Sequence, residues 1–138
     1  MHKSELLDFL RQNKLAVVST AGNEGPQAAV VGIAVTDAFE IVFDTVSDSR
    51  KHAALLRNPR AAITVWHDET TIQLEGNAHP MSVDSAADKP YRDVYYAAWP
   101  DGIDRLKWPK IAYWRITPLW ARYSDFASGP LIQEFTFD

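Results

Sequence analysis

DTVSDSRKHAALLRNPRAAITV, residues 44–65, is the stretch of sequence on which the prediction of the fold depends. It begins at the end of a predicted strand over residues 40–44, and a second predicted strand over residues 61–66 follows. Between them, residues 47–58 are predicted to form a helix. This helix ends before Pro59, because a proline disfavours helical backbone in the residue that precedes it. The stretch therefore predicts a strand, a short helix and a further strand in succession.

The first turn of this predicted helix carries two cations. If Ser49 caps the helix, Arg50 and Lys51 lie at the end where acids stabilise a helix by ~0.3–1 kcal/mol and cations oppose it. An anion would remove this conflict, because a phosphate can be bound by the first-turn amides, the two cations and the hydroxyls of Thr45, Ser47 and Ser49. The alternative is a capped surface helix whose cations point into water, and the spacing alone leaves both interpretations open.

Outside this stretch, short strands alternate with a few helices. The sequence predicts helices over residues 4–13, capped by Ser4, and 83–98, strands over 15–20, 27–35, 70–78, 111–117 and 119–126, and an irregular segment over 99–109. Residues 21–26 predict a hairpin with a longer loop, and residues 68–69 a short connection, whereas parallel strands need crossovers of a dozen or more residues. The prediction is a mainly β protein, a single antiparallel β-barrel with a few helices, in one domain over residues 1–138.

Composition and charge argue against several classes of function. The 138 residues carry a net charge of −4, whereas nucleic-acid-binding proteins are usually basic, so no nucleic-acid partner is expected. There is no cysteine, which excludes thiolate chemistry, and the four histidines show no spacing typical of a metal site. No apolar run is long enough to predict a membrane span, and a cytoplasmic location is expected. The only glycine-rich turn, GNEGP at residues 22–26, matches neither the dinucleotide fingerprint nor the P-loop.

Two further residues are candidates for contact with a ligand. Gly32 interrupts the predicted strand over residues 27–35 and indicates either a bulge or a close approach to the backbone. The chain has five tryptophans, most of which are expected in the core or at a subunit interface. Trp108 lies in the irregular segment and is the tryptophan most readily placed beside a flat ring.

Five blocks of the sequence, taken in order, resemble the pyridoxamine 5′-phosphate oxidase-like, FMN-binding split-barrel family. They are LAVVSTAGNEGPQAAVVGIAV, EIVFDT, SDSRKHAALLRNPRAAITV, TIQLEGNA and WRITPLWARYSDF. The similarity as a whole runs over roughly residues 6–125. The most distinctive pattern is S-R-K-x-x-x-L-x-x-N-P-R, which begins at Ser49 and ends at Arg60. The order of the blocks is more specific than any single strand.

The resemblance implies a split β-barrel with antiparallel strands, a homodimer, and FMN bound between the two subunits. It implies that Arg50 and Lys51 hold the phosphate and that residues 29–33 present backbone to the isoalloxazine ring. The complete set of residues expected at the cofactor is Ala29, Val30, Val31, Gly32, Ile33, Asp44, Thr45, Ser49, Arg50, Lys51, Thr71, Gln73 and Trp108, of which Thr71 falls where the oxidases carry a glutamine.

The resemblance also implies an activity, although it assigns no catalytic residue. The expected function is an FMN-dependent oxidoreductase of unknown substrate. The chain is shorter than the vitamin-processing oxidases and lacks their C-terminal substrate segment, so it is expected to be a small member without pyridoxamine-phosphate oxidase activity. The alternatives are a deazaflavin-dependent reductase and a non-catalytic module that binds flavin or haem.

Overall fold

The structure is a computed structural model that describes residues 1–127 and 129–138. Its elements, in chain order, are α1 Lys3–Gln12, β1 Leu15–Gly22, β2 Gly25–Gly32, β3 Ala34–Val35, β4 Ile41–Val46, α2 Arg50–Arg57, β5 Arg60–His67, β6 Thr70–Met81, α3 Lys89–Ala98, a 3₁₀ helix Pro100–Lys107, β7 Ile111–Asp125 and β8 Leu131–Thr136. The sequence predicts no definite conformation for the tail from residue 128 onward. Ser128 itself lies outside the described residues.

The strands form one antiparallel sheet in the order β2-β1-β5-β6-β7-β4-β3, and β8 pairs with β7. The sheet curls so strongly that its first strand, β2, lies beside β4 near the other end of the order. No ladder joins β2 to β4 within the described residues, so the curled sheet stays open along a gap between them. This architecture is a split β-barrel, as the sequence predicts.

The concave side of the sheet holds the core. Alternate residues of β5 and β6, such as Ile63, Val65, Ile72 and Leu74, are almost fully buried there, which is the period-two pattern of a sheet with one buried face. Helix α1 closes one end with Leu6 and Leu10. A second, smaller apolar cluster joins α3 to the sheet at Ala34, Val42, Tyr95 and Tyr113.

Several predicted boundaries are wrong in informative ways. The predicted loop over residues 21–26 is a tight turn, because Gly22 pairs with Gly25 and leaves only two residues between them. The predicted second strand breaks after Gly32 into β2 and β3. Ser4 is not the cap of α1, since His2 holds that position without a side-chain hydrogen bond. Helix α3 begins at Lys89, six residues later than predicted, and a 3₁₀ helix occupies most of the predicted irregular segment.

The prediction of two strands separated by Pro118 is also wrong, because β7 runs through this proline without a break. The ladder between β6 and β7 shifts its register between Glu75 and Gly76, and Gly76 pairs with Pro118 while Glu75 pairs with Trp120. A bulge tolerates a proline because one residue there needs no ladder hydrogen bond. A Cβ on Gly76 would collide with the carbonyl oxygen of Thr117, so the bulge needs glycine on the facing strand.

Within the described residues, no helix is both long and apolar enough to cross a lipid bilayer.

Candidate functional site

Helix α2 begins with the cap that the sequence predicts. The Ser49 hydroxyl accepts a hydrogen bond from the backbone N–H of His52 at 3.2 Å, and the Thr45 and Ser49 hydroxyl oxygens lie 3.1 Å apart. The first turn contains no acidic residue. Its positive end therefore carries Arg50 and Lys51 without a compensating carboxylate from the helix itself.

The two cations of this turn have different surroundings. Arg50 is exposed and forms an ion pair with Glu24, which lies in the turn between β1 and β2. Lys51 is half-buried, and burial lowers its pKa while the nearby carboxylate of Asp44 acts in the opposite direction. No hydrogen bond or ion pair of the Lys51 ammonium group is found among the described residues. Of the two cations, Lys51 is therefore the one without a direct partner among the described residues.

Two cavities meet at Lys51. The first, of about 460 Å³, lies between β1, β2 and the start of α2, and Thr20, Gln27, Ala29 and Arg50 line it together with Lys51. Thr20 is 4% exposed and its hydroxyl oxygen has no hydrogen-bond partner in the described structure. A buried hydroxyl without a partner is costly, and this one belongs to a residue that lines the cavity wall.

The second cavity, of about 310 Å³, lies in the gap between β2 and β4. Its lining residues are Leu15, Val30, Val31, Gly32, Asp44, Thr45, Lys51, Tyr95, Trp99, Asp101 and Arg105. Both volumes fall in the range of about 300–1,000 Å³ that is usual for small-molecule sites. Lys51 lines both cavities, and residues of β2 line each of them, so we refer to the two cavities together as the β2 groove.

A network centred on Arg105 forms the far wall of the β2 groove. The Arg105 guanidinium donates from Nε to Asp44 at 2.7 Å, from Nη1 to Asp101 at 2.9 Å and from Nη2 to the Tyr95 hydroxyl at 2.8 Å. Burial is the largest cause that raises the pKa of Tyr95, and the negative charge of Asp44 adds to it. Tyr95 therefore stays a neutral phenol at physiological pH.

Trp99 is the neighbour that requires residue 32 to be glycine. A Cβ on Gly32 would lie 2.7 Å from the Trp99 ring. The indole Nε1 donates to the carbonyl of Ile33 at 2.8 Å, and the Lys14 ammonium lies 4.6 Å from the ring centroid. Gly32 in the sequence indicates that another group comes close to the backbone. In the structure, that group is the Trp99 side chain of the protein itself.

His52 lies in the first turn of α2 but points away from the groove lining. Its Nδ1 accepts a hydrogen bond from the Trp114 indole at 2.9 Å, and burial lowers its pKa. An imidazole that accepts through Nδ1 is neutral and carries its proton on Nε2. The histidine therefore anchors α2 to the sheet as an uncharged group.

The structure brings most of the sequence-predicted residues together, but not all of them. Residues 29–32, Asp44, Thr45, Arg50 and Lys51 line the β2 groove, and Ser49 caps the adjoining helix. Ile33 is buried in the core behind the groove. Three predicted residues, Thr71, Gln73 and Trp108, belong to the lining of neither cavity.

Sequence reasoning missed Tyr95, Trp99, Asp101 and Arg105. Tyr95 lies in α3, Trp99 lies between α3 and the 3₁₀ helix, and the other two lie in the 3₁₀ helix. In this part of the chain the sequence singles out only Trp108, which follows the 3₁₀ helix and is 51% exposed. The i, i+4 spacing of Asp101 and Arg105 was the one local signal available. This spacing predicts that Asp101 and Arg105 form a pair on one helical face. It does not predict the contact of Arg105 with Asp44, which lies sixty-one positions earlier in β4.

Comparison with known proteins agrees with this architecture. The family described as pyridoxamine 5′-phosphate oxidase matches residues 3–125, which is most of the chain. No curated protein matches the sequence.

Several solved structures share this fold, and their names include both an FMN-binding and a haem-binding protein. A pyridoxamine 5′-phosphate oxidase-related, FMN-binding protein from Nostoc punctiforme has 12% identity and a TM-score of 0.74, with 99% of this chain and 96% of that chain covered. General Stress Protein 26 from Bacillus anthracis has 22% identity and a TM-score of 0.72, with coverages of 98% and 100%.

A haem-binding protein from Mycobacterium smegmatis has 16% identity and a TM-score of 0.80, and it is longer, since 99% of this chain but only 58% of that chain is covered. Identities this low establish a common fold, while the family match covers residues 3–125 of the sequence itself. The chain therefore belongs to the pyridoxamine 5′-phosphate oxidase family.

Proposed function

We propose that the chain binds FMN in the β2 groove and acts as an FMN-dependent oxidoreductase. The observation that carries the proposal is the position of Lys51, a half-buried cation without a partner in the described structure, where two cavities meet at the start of a helix. A phosphate monoester carries about −1.5 to −2 charges at pH 7. It is therefore a good counter-charge for Lys51 and for the first-turn amides of α2.

The gap in the barrel suits the flavin ring. One edge of β2 pairs with β1, and its other edge faces the groove with backbone groups that no ladder uses. An isoalloxazine has polar atoms along one side of its pyrimidine ring, and unpaired backbone N–H and C=O groups are suitable partners for them. Residues 29–32 are therefore the segment that would orient the ring, while Ser49 and Lys51 hold the phosphate end.

Two of the predicted cofactor residues support a site shared between two copies of the chain. Gln73 pairs in register with Thr64, Thr64 with Val17, and Val17 with Val30. At about 4.8 Å between neighbouring strands, Gln73 lies roughly 14 Å from β2 across the sheet. If Thr71 and Gln73 contact the cofactor, they do so from a second subunit, and the protein is a homodimer with two sites.

The composition of the β2 groove favours flavin over haem. Haem iron in proteins is usually held by histidine, cysteine, methionine or tyrosine. The groove lining contains only tyrosine from this set, namely Tyr95. Burial and the nearby negative charge of Asp44 raise the pKa of Tyr95, which opposes the tyrosinate form that an iron ligand requires.

Bound FMN would supply the hydride or electron transfer, and the chain would bind and orient it. The Arg105 network holds Asp44 and Tyr95 in place beside the ring position. Trp99 packs against β2 at Gly32. No side chain is proposed as an acid or base.

The direct test is to purify the protein and examine what it carries. A yellow protein whose absorption spectrum is that of a flavin, and whose released cofactor has the mass of FMN, would support the proposal. Reduction of the bound flavin by a nicotinamide or another donor would support the oxidoreductase activity. A deazaflavin or haem, identified by mass and spectrum, would replace the proposal by one of its alternatives.

A further inference from the structure

We propose that Glu24 is a specificity-determining residue that competes with the phosphate of the ligand for Arg50. This inference rests on the proposed function to the extent that Arg50 and Lys51 form the phosphate site. In the structure, the Glu24 carboxylate already forms an ion pair with Arg50, one of the two cations that the phosphate would use. The phosphate must therefore displace Glu24 before both cations can bind it.

The position of Glu24 follows from the tight turn between β1 and β2. Gly22 pairs with Gly25, and Asn23 and Glu24 form the tip. The turn lies against α2, since a Cβ on Gly22 would be 3.0 Å from the Cβ of Ala54. Packing thus holds the tip beside Arg50, and removal of the Glu24 charge leaves the hairpin in position.

A third cavity adjoins the β2 groove at this contact. This cavity, of about 360 Å³, is lined by Glu24, Arg50 and Arg57, among others, and it shares Gln27 and Arg50 with the first cavity. Release of Arg50 from Glu24 would let the guanidinium turn toward Lys51. The carboxylate would remain in the third cavity, which Arg57 also lines.

The exposure of the ion pair makes displacement feasible. Both side chains are 67% exposed, and such pairs contribute little to stability because water screens them. A phosphate with nearly two negative charges, placed also at Lys51 and the α2 amides, competes well with one exposed carboxylate. A ligand without a phosphate leaves the Glu24–Arg50 pair intact. Glu24 therefore sets how strongly the site distinguishes ligands with a phosphate from ligands without one.

The test compares Glu24→Gln with the parent in binding FMN, riboflavin and inorganic phosphate. We expect Glu24→Gln to bind FMN about two- to fivefold more tightly, equivalent to about 0.4–1 kcal/mol. Riboflavin affinity should stay the same. Glu75→Gln is the matched control, because Glu75 also forms an exposed ion pair with an arginine, Arg60, at 3.4 Å. This control should bind all three ligands as the parent does.

A double-mutant cycle separates the direct contact from a general change in charge. In an Arg50→Ala background, Glu24→Gln should no longer increase FMN affinity. An equal gain in both backgrounds, or no gain in the parent background, would overturn the proposal.

Inorganic phosphate, followed through its effect on the melting temperature, distinguishes this proposal from the proposed function. If FMN binds to neither protein but phosphate stabilises Glu24→Gln more than the parent, the Glu24 proposal stands and the FMN proposal fails. If phosphate stabilises both equally, the Glu24 proposal is wrong whatever FMN does.

Discussion

Arg50 and Lys51 are adjacent in the sequence, yet the fold gives them different tasks. Arg50 is exposed and paired with Glu24, whereas Lys51 is half-buried between two cavities and has no partner in the described structure. A cation that has already lost part of its hydration gains more from a phosphate than one that must first leave a carboxylate. At the residue scale, we therefore expect Lys51 to contribute more to phosphate binding than Arg50 does.

We predict that Lys51→Ala weakens FMN binding about 10- to 100-fold, because hydrogen bonds to charged groups contribute ~1.5–3 kcal/mol. Arg50→Ala should weaken it less. Riboflavin, which has no phosphate, should bind both variants as it binds the parent, as measured by quenching of flavin fluorescence. Equal losses for FMN and riboflavin would show that Lys51 shapes the site without holding the phosphate.

Gly32 provides a second prediction at this scale. Gly32→Ala should destabilise the protein by about 1–3 kcal/mol, because the new Cβ would lie 2.7 Å from the Trp99 ring and force one of them to move. Denaturant unfolding measures the loss. Combination with Trp99→Leu should recover part of it, since the smaller side chain leaves space beside β2. Additive losses in the double variant would mean that Trp99 is not the obstacle.

The lowered pKa of His52 predicts how the free energy of unfolding depends on pH. Burial lowers its pKa in the folded protein, so the unfolded chain binds a proton first as the pH falls below the ordinary value of about 6.5. The free energy of unfolding should therefore decrease as the pH falls from 6.5 through the lower pKa of the folded state. His52→Asn should show a smaller decrease. Urea unfolding between pH 4.5 and 7.5 is the measurement, and His67→Gln, which changes an exposed histidine, is the control.

At the scale of elements, one side chain of the 3₁₀ helix forms hydrogen bonds with two other elements. Arg105 is 19% exposed and joins this helix to β4 through Asp44 and to α3 through Tyr95. The apolar residues of the 3₁₀ helix contribute little, because Ile103 is 52% and Leu106 41% exposed. The segment is therefore a wall of the β2 groove whose position depends on polar contacts.

We predict that Arg105→Met loosens this wall. The variant leaves the Asp44 carboxylate without its closest partner, which should cost on the order of 2 kcal/mol, and amides of residues 100–107 should exchange with solvent faster than in the parent. Lys110→Met is a suitable control, because Lys110 forms an exposed pair with Asp48 and its loss should change little. Unchanged exchange in Arg105→Met would show that other contacts hold the 3₁₀ helix.

At the scale of the whole molecule, the convex face of the sheet is the expected subunit interface. Thr64, Trp66, Thr71 and Gln73 lie on this face, and Trp66 is 44% exposed. A stable homodimer of this kind buries more than about 2,000 Å² in total. Such an interface would place Thr71 and Gln73 of one subunit near the β2 groove of the other.

We predict that Thr64→Glu produces monomers and weakens FMN binding, although Thr64 lines neither cavity of the β2 groove. A charge in the middle of a buried interface is unfavourable because it loses its hydration without a partner. Analytical ultracentrifugation measures the assembly. Leu56→Glu is the control, since Leu56 is 61% exposed on α2 and lies outside the proposed interface. A parent protein that is monomeric at micromolar concentration with FMN bound would contradict the homodimer.

The features that could be predicted from the sequence are local ones. Ser49 caps α2 because its hydroxyl reaches an amide three residues away, and Pro59 limits the helix whatever lies around it. Ile72, Leu74, Gly76 and Ala78 alternate with polar residues in the sequence, and the structure buries all four of them in β6. Interactions over a few residues depend on the chain alone, so their pattern is visible in the sequence.

Which of these features form a site depends on contacts between residues that are far apart in the sequence. Asp44 meets Arg105 across sixty-one positions, and Trp99 meets Ile33 across sixty-six. Such contacts depend on the curl of the sheet, which brings β2 close to β4, and on the bulge at Pro118, which lets β7 continue. The strand order places Gln73 three strands away from Val30 of β2 within one chain. Sheet register and curvature result from the packing of the entire core, and no local pattern of residues records them.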